Sequence, residues 1–101
     1  MAVLSLSPKA RADLIDIGAY TLQTWSEAQA IRYLDRLEDA MERLAENPML
    51  GRACDEIRTG LRRIAEGRHV IFYRRRERGI RVSRILHRSM LPESRLMDDE
   101  T

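Results

Sequence analysis

The stretch GRHVIFYRRRERGIRVSRILHRSM, residues 67–90, holds the side chains best suited to chemistry. It contains eight of the seventeen arginines of the chain, together with two histidines and a tyrosine. Metal-free RNA cleavage needs a base for the 2′-hydroxyl, an acid for the leaving oxygen and cations for the phosphorane. Arginine supplies the cations, but it does not deprotonate in proteins and cannot be the base. The candidates for a ribonuclease are therefore His87, Glu66, Tyr73 and His69, with Arg68 among the cations.

The same arginines suit binding instead of catalysis. The net charge is only +2, yet residues 1–50 carry five basic and eight acidic side chains, whereas residues 51–101 carry thirteen and eight. Lys9 is the one lysine among eighteen basic residues. Arginine is preferred where planar, bidentate contacts to carboxylate or phosphate are needed. A recognition surface and a GC-rich genome both explain this bias, and both interpretations stay open here.

Several classes of function are disfavoured by composition. No spacing of Cys, His and Asp indicates a metal site, and no Gly-rich loop precedes a helix in the form that cradles phosphates. We therefore expect no metal and no cofactor. The single Cys54 cannot form an internal disulfide and is predicted to be inert packing. With neither a secretory signal nor an apolar run that would span a bilayer, we expect a cytoplasmic protein without a membrane partner.

The first half of the chain predicts a strand and two helices. VLSLSP opens with a short apolar alternation, and Ser7 followed by Pro8 is a typical helix start. That helix is predicted to run to about residue 24. Ser26 and Gln29 have the spacing of a capping box at the start of a second helix, which Asn47-Pro48 ends. The two helices should form an antiparallel hairpin.

The second half changes to strand periodicity. Residues 60–67, 68–75 and 79–87 form three strand-like runs separated by short turns. The order β-α-α-β-β-β predicts an α+β fold, in which an N-terminal strand and a helical hairpin pack on one face of a small antiparallel sheet. The opposite face is expected to be partly open. We expect one domain over residues 1–97 and a flexible acidic tail over residues 98–101.

Arg84 breaks the alternation of the last strand. Ile80, Val82 and Leu86 share its predicted parity, and an unpaired buried guanidinium would be too costly to tolerate. Either a bulge resets the register or a carboxylate partners the guanidinium. Asp55 and Glu56, in the loop over residues 49–60, are the expected partners.

Five motifs in order resemble the ParE branch of the RelE/ParE toxin superfamily. They are LSPKA, the WSEAQAIRY start of helix two, NPMLGRACDEIRTGLRR, RHVIFYR and RILHRSM, and they cover roughly residues 4–96. The resemblance implies the same fold as the element order and the toxin role in a bacterial type II toxin–antitoxin pair. It leaves two chemistries open, because RelE-like relatives cut mRNA on the ribosome and ParE-like relatives poison DNA gyrase without catalysis.

The ParE-like motifs favour a non-catalytic toxin that stabilises the cleaved gyrase–DNA complex. RNase relatives often carry a lysine cluster or a tyrosine near the end of the last strand, and ILHRSMLPESRLM has neither. The predicted target-contacting segment runs from residue 84 to residue 97, together with the arginine-rich hairpin. The predicted target-binding residues are Arg74, Arg75, Arg76, Arg84, His87, Arg88 and Met90.

The resemblance also implies a ParD-like antitoxin, whose disordered arm folds onto an apolar groove of the toxin. Candidate contacts are four apolar helix positions expected to be exposed and two arginines: Leu14, Ile15, Leu22, Leu34, Arg58 and Arg63. Operator DNA would be bound only through the antitoxin. The alternatives are a RelE-like, ribosome-dependent endoribonuclease and an inactive toxin that serves as a co-repressor.

Overall fold

The computed structural model of the chain describes residues 1–90, and it arranges them as two helices and five strands. Their bounds in chain order are β1 Val3–Leu6, α1 Pro8–Thr24, α2 Glu27–Glu46, β2 Arg52–Ala53, β3 Leu61–Glu66, β4 His69–Arg76 and β5 Gly79–His87. The predicted α+β class and the order of the predicted elements are confirmed. The two-residue strand β2 is an addition, in a segment predicted as loop. The predicted tail, 98–101, and residues 91–97 lie outside the described residues.

The predicted helix starts are confirmed by their capping contacts. The Ser7 side chain accepts a hydrogen bond from the backbone N–H of Ala10 at 3.0 Å, and Pro8 occupies the first helical position. Ser26 accepts from the N–H of Gln29, whose side chain accepts in return from the Ser26 N–H, which completes a capping box. The Ser7 hydroxyl also donates to the Ser83 carbonyl at 2.7 Å, so this cap fastens α1 to β5.

The five strands form one sheet in the order β1-β5-β4-β3-β2. Strands β3, β4 and β5 pair antiparallel, as predicted, and the additional strand β2 pairs antiparallel with β3. Strand β1 differs from the prediction because it pairs in parallel with β5, from Val3 opposite Gly79 to Leu6 opposite Val82. The helical hairpin and strands β2 to β4 separate these two strands in sequence, and a connection of this length permits parallel pairing. The sheet is therefore mixed.

The sheet buries apolar residues on both faces. The larger cluster lies between the helices and the sheet and includes Leu37, Leu44, Ile71, Tyr73 and Val82. On the opposite face a smaller cluster of Cys54, Leu61, Phe72 and Leu86 is packed by Ile57 and Val70. The loop that begins at Cys54 thus covers part of the face expected to be open.

A bulge in β5 changes which side chains face the helices. Phe72 lies opposite Arg84 and Tyr73 lies opposite Val82, so Ser83 is an extra residue in the β4–β5 pairing. Beyond the bulge, Ile85 joins Val82 in the cluster under the helices, whereas Leu86 turns to the other cluster. The predicted shared face of Ile80, Val82 and Leu86 was therefore wrong past residue 83.

Candidate functional site

The arginine-rich tip of the β4–β5 hairpin is the first part of the predicted target surface. The side chains of Arg75, Arg76 and Arg78 are exposed there, around the turn at Glu77. Arg74 is half-buried, and its guanidinium donates to the Thr59 carbonyl at 2.6 Å. The tip is thus a strongly positive projection at one end of the sheet.

The remaining predicted target residues lie at the other end of the same hairpin. His87, Arg88 and Met90 are exposed at the end of β5, and the Arg88 N–H donates to the Arg68 carbonyl at 2.8 Å. His87 is the cross-strand partner of His69. Six residues of strand separate that position from the arginines of the tip, which corresponds to about 20 Å. The predicted target-binding residues therefore lie at two opposite ends of the β4–β5 hairpin.

Arg84 belongs to neither end. Its Nε donates to Asp13 Oδ2 at 2.8 Å, and its Nη2 donates to Asp13 Oδ1 at 2.9 Å. Asp13 Oδ2 also accepts the Ile85 N–H at 3.0 Å, which places this carboxylate against the bulge. The hydrogen bond with Asp13 raises the pKa of the Arg84 guanidinium, although burial opposes this shift.

The expected partners of Arg84 were therefore wrong, because the carboxylate comes from α1. Asp55 instead accepts the Gly60 N–H at 2.7 Å within its own loop. Both sequence alternatives for Arg84, a bulge and a carboxylate partner, occur together.

His69 lies within a series of tilted and edge-on rings beneath the β3–β4 turn, between Tyr33 and His87. The Tyr33 hydroxyl lies 2.5 Å from His69 Nδ1 and accepts the Arg68 N–H at 3.0 Å. The hydroxyl also donates to the Glu66 carbonyl at 3.3 Å, so one tyrosine side chain contacts Glu66, Arg68 and His69. The His87 ring packs edge-on against His69, with 5.4 Å between ring centroids.

This environment keeps His69 neutral. Burial lowers the pKa of His69 below its ordinary value of 6.5, His87 lowers it further, and Asp13 opposes both effects. Burial also raises the pKa of Tyr33, against the hydrogen bond from the Arg68 N–H. The interaction therefore joins two neutral groups, one on α2 and one on β4.

Four of the five ribonuclease candidates, His69 among them, lie together, and Tyr73 does not. His87, Arg68 and Glu66 gather near the β3–β4 turn, where Glu66 pairs with Arg36 at 2.9 Å. Tyr73 lies four residues along β4 from His69, about 13 Å away. It is fully buried there.

The Tyr73 hydroxyl has a structural role. It donates to the Pro48 carbonyl at 2.7 Å and accepts the Gly51 N–H at 2.9 Å. Both contacts fasten the loop that follows α2 to the sheet, so neither the proton nor the oxygen of this hydroxyl faces solvent.

The apolar helix positions divide by exposure. Ile15 and Leu22 are exposed on one face of α1, as expected for a binding groove. Leu14 and Leu34 are instead half-buried and pack against the main core, so their predicted exposure was wrong. Tyr20 on α1 and Ile31 on α2 are exposed and were not predicted. The two predicted arginines, Arg58 and Arg63, are half-buried on the loop and on β3.

Comparison with known proteins assigns this arrangement to a family. The family model described as the ParE toxin of the type II toxin–antitoxin system parDE matches residues 4–92. The chain belongs to the ParE toxin family. Toxin ParE1 of Mycobacterium tuberculosis is 48% identical over 86 residues, covering 84% of this chain and 88% of that protein. Toxin ParE1 of Caulobacter vibrioides is 45% identical over 87 residues, with the same coverage.

The fold of this ParE toxin also matches a solved structure. A chain of the chromosomal ParDE TA system from P. aeruginosa superposes with a TM-score of 0.72, covering 86% of this chain and 96% of that one. The two sequences are only 19% identical, so this match supports the fold alone. The toxin is thus a member of a type II toxin–antitoxin system by sequence and has the matching architecture.

Some residues that organise the toxin were missed by sequence reasoning. Asp13 gave no local signal, since its partner Arg84 lies 71 residues away. Tyr33 lies in the main core with Trp25 packed against it, and their additional contacts with His69 and Arg68 depend on the β3–β4 turn reaching α2.

Two further features of residues 1–90 concern the expected absences. These residues form no cluster of three or more His, Cys, Asp or Glu side chains that could hold a metal ion, and neither of their helices is long and apolar enough to cross a membrane.

Cys54 is completely buried. Burial, and to a smaller extent the nearby Glu56, raises the pKa of its thiol to about 11. The thiol is therefore held protonated and shielded, in the role of a packing residue.

Proposed function

We propose that this ParE-family toxin binds DNA gyrase and stabilises the cleaved gyrase–DNA complex without catalysing a reaction. Family membership over residues 4–92 is the observation that carries the proposal, and the gyrase target follows from the resemblance to ParE-like relatives. The placement of the acid–base candidates supports it. Tyr73 uses its hydroxyl to hold a loop, and Glu66 is paired with Arg36. Such a toxin would act in the cytoplasm, where gyrase and its DNA are found.

A poison of this kind needs differential affinity for one state of its target. The exposed guanidiniums of Arg75 and Arg76 at the hairpin tip are the proposed primary contacts. His87, Arg88 and Met90 form a second exposed patch at the other end of the hairpin. Arg84 would act indirectly, because its bond with Asp13 holds the bulged part of β5 in place.

A ParD-like antitoxin is the proposed partner that neutralises the toxin. The exposed Ile15 and Leu22 would be the centre of its site, with the half-buried Leu14 and Leu34 at the margin. Burial of exposed apolar side chains by a folding arm would supply the affinity, since each removes apolar area from water. Membership of a family described as the ParE toxin of the type II toxin–antitoxin system parDE supports a partner of this type. Operator DNA would be reached only through that antitoxin.

A ribonuclease is the second candidate. The observation in its favour is the proximity of His87, Arg68 and Glu66 at the β3–β4 turn. It predicts cut mRNA on translating ribosomes and loss of cutting in His87→Ala. A toxin that acts only as a co-repressor predicts neither activity.

The first experiment incubates the purified chain with gyrase, ATP and relaxed plasmid, and then measures supercoiling and protease-released linear DNA. We expect linear plasmid only when gyrase is present. The double variant Arg75→Ala/Arg76→Ala should need a concentration about tenfold higher to release the same amount of linear plasmid, because each substitution removes an exposed cation from the docking surface. Arg11→Ala, an exposed arginine on α1, is the matched control and should leave the dose unchanged.

Full supercoiling at a clear molar excess of folded toxin would refute the gyrase proposal. A ribosome assay with the His87→Ala variant would then decide between the ribonuclease and the co-repressor.

A further inference from the structure

The junction between the two helices and the β3–β4 turn forms a second arginine-rich surface, separate from the hairpin tip. The Arg68 guanidinium lies 5.4 Å from the centre of the Trp25 ring, and the Arg36 guanidinium lies 5.9 Å from the Tyr33 ring. Trp25 and Tyr33 pack edge to face with 5.5 Å between centroids. Arg32 lies one helical turn before Arg36. These five residues, with Gln29, are called the Trp25 surface below.

The Trp25 surface is an open cavity of about 430 Å³. Its lining consists of aromatic rings, guanidiniums, one amide and the backbone of the turn, without an aliphatic side chain. Glu66 contacts this surface through Arg36 and neutralises one of its charges. The exposed guanidiniums of Arg32 and Arg68 remain as further positive charges beside the rings.

The turn that carries Arg68 is fixed in position. Gly67 adopts a φ of +59°, and a Cβ atom there would lie 2.5 Å from the Tyr33 ring. The Arg68 N–H donates to the Tyr33 hydroxyl, and its carbonyl accepts from Arg88. Because both backbone groups of Arg68 are bonded, its side chain starts from a rigid position over Trp25. A planar guanidinium held in this way can stack a base on its outer plane and still direct N–H groups to a phosphate.

We propose that the Trp25 surface binds single-stranded nucleic acid. A base would stack on the Trp25–Arg68 pair, while Arg32 contacts a phosphate of the same strand. Arg36, which is paired with Glu66, lies one helical turn further along α2 and contacts the Tyr33 ring. Aromatic stacking beside a basic groove is the general mode by which proteins hold single strands without reading their sequence. This binding needs neither gyrase nor the hairpin tip, so it goes beyond the proposed function.

The lining favours a nucleic acid over an acidic peptide. Trp, Tyr and Arg also occur at protein interfaces, but there they fill well-packed and fully desolvated pockets, whereas this cavity is open. The cavity offers only aromatic faces already covered by cations. A base has a π-face of its own and fits this stack, whereas a carboxylate leaves the rings without a partner.

The chain contains one tryptophan, so its fluorescence reports directly on this surface. The experiment titrates the full chain, without gyrase, with short oligodeoxythymidylate and short oligouridylate while recording Trp25 emission and the anisotropy of a labelled strand. We expect saturable quenching by at least one strand type, and the tighter strand identifies DNA or RNA as the source. Phosphate contacts from Arg32 and Arg68 predict a slope of about −1.4 in log affinity against log salt concentration.

Two variants from different elements test the assignment. Arg68→Gln should weaken binding about tenfold by removing both the stack and a phosphate contact, and Arg32→Gln should reduce the salt slope by about 0.7. Arg11→Gln is the matched control, because it removes the same charge about 21 Å away along α1. Circular dichroism verifies that each variant is folded.

The proposal is overturned if neither strand changes Trp25 emission, or if Arg11→Gln weakens binding as much as Arg68→Gln. Polyglutamate is the competing probe. Quenching by polyglutamate with higher affinity than by either strand would assign the surface to an acidic protein and also overturn the proposal. Neither result affects the gyrase proposal, because the gyrase assay tests variants of the hairpin tip.

Discussion

At the scale of single residues, the contact between Asp13 and Arg84 decides how β5 ends. The two side chains are about 13% and 14% exposed, and they meet through two hydrogen bonds. The carboxylate also accepts the Ile85 N–H, at the point where the bulge leaves the regular pairing. A charge in such a position is tolerated only while its partner is present. One aspartate on α1 thereby fixes the register of the strand that carries His87.

Asp13→Ala should lower the free energy of unfolding by about 3 kcal/mol, because it leaves the Arg84 guanidinium without its carboxylate in a largely buried site. Asp16→Ala removes an exposed carboxylate one turn later on the same helix and should change stability by less than about 0.5 kcal/mol. Urea denaturation followed by circular dichroism measures both. Equal, small losses in the two variants would contradict the structural role of Asp13.

At the scale of elements, the parallel pairing of β1 with β5 depends on a glycine. A Cβ atom at Gly79 would collide with the backbone oxygen of Val3, its partner in the pairing. A backbone atom of a paired strand cannot move aside as the end of a side chain can. Gly79 is thus required by close approach of two strands, while its neighbour Ile80 is a core residue.

We expect Gly79→Ala to destabilise the domain by about 3 kcal/mol, because the added methyl group forces β1 away from β5. Gly60→Ala is the control. Gly60 has a φ of +84°, but its Cβ would meet only the end of the Arg74 side chain, so the cost should be about 1 kcal/mol of backbone strain. Chemical denaturation of both variants gives the comparison, and a larger loss for Gly60→Ala would contradict the role assigned to β1.

The elements also show which parts of the fold could be predicted from the sequence. Both helix starts and the three long strands were predicted correctly, because caps and alternation are signals within a few residues. The parallel position of β1, the bulge at Ser83 and the partner of Arg84 were not. Each of these depends on contacts of β5 with β1 or with α1, more than 70 residues apart.

The candidate site was predicted in the same uneven way. The exposed hairpin tip follows from RRRER itself, and its arginines lie where the hairpin prediction placed them. The separation of that tip from His87 follows from the strand lengths, which the sequence does contain. The contact of Arg68 with Trp25 does not, since no local pattern specifies that the β3–β4 turn reaches the start of α2.

At the scale of the whole molecule, the bond between Tyr33 and His69 joins the helical layer to the sheet. Tyr33 lies on α2, His69 on β4, and His87 packs on His69 from β5. Asp13 on α1 is the opposing charge that acts on the same imidazole. Every layer of the domain therefore contributes to the environment of one histidine.

This network predicts that the whole domain loses stability in mild acid. Because the folded pKa of His69 lies below its ordinary 6.5, the unfolded chain binds the proton first, and stability falls as pH drops through 6.5 toward the folded value. Above 6.5 this contribution is fully present. The midpoint of thermal unfolding should fall between pH 7 and pH 5, and by the same amount when it is followed by Trp25 fluorescence and by far-ultraviolet circular dichroism.

His69→Gln should flatten that pH dependence, because it removes the group that titrates while keeping a side chain that can hydrogen-bond the Tyr33 hydroxyl. His87→Gln is the comparison variant at the exposed neighbour. An unchanged pH profile in His69→Gln would contradict the assignment to His69.

The pairing of β1 with β5 also has a consequence for the time at which a toxin of this fold becomes active. Ser7, directly after the first strand, bonds to Ser83, 76 residues later. At about 5–20 residues per second, roughly 4–15 s of translation separate the two ends of this contact. Contacts of such long range also close slowly, since the intervening chain must first be ordered. A nascent toxin therefore cannot complete its sheet until β5 has been synthesised, and the finished domain is delayed by this interval.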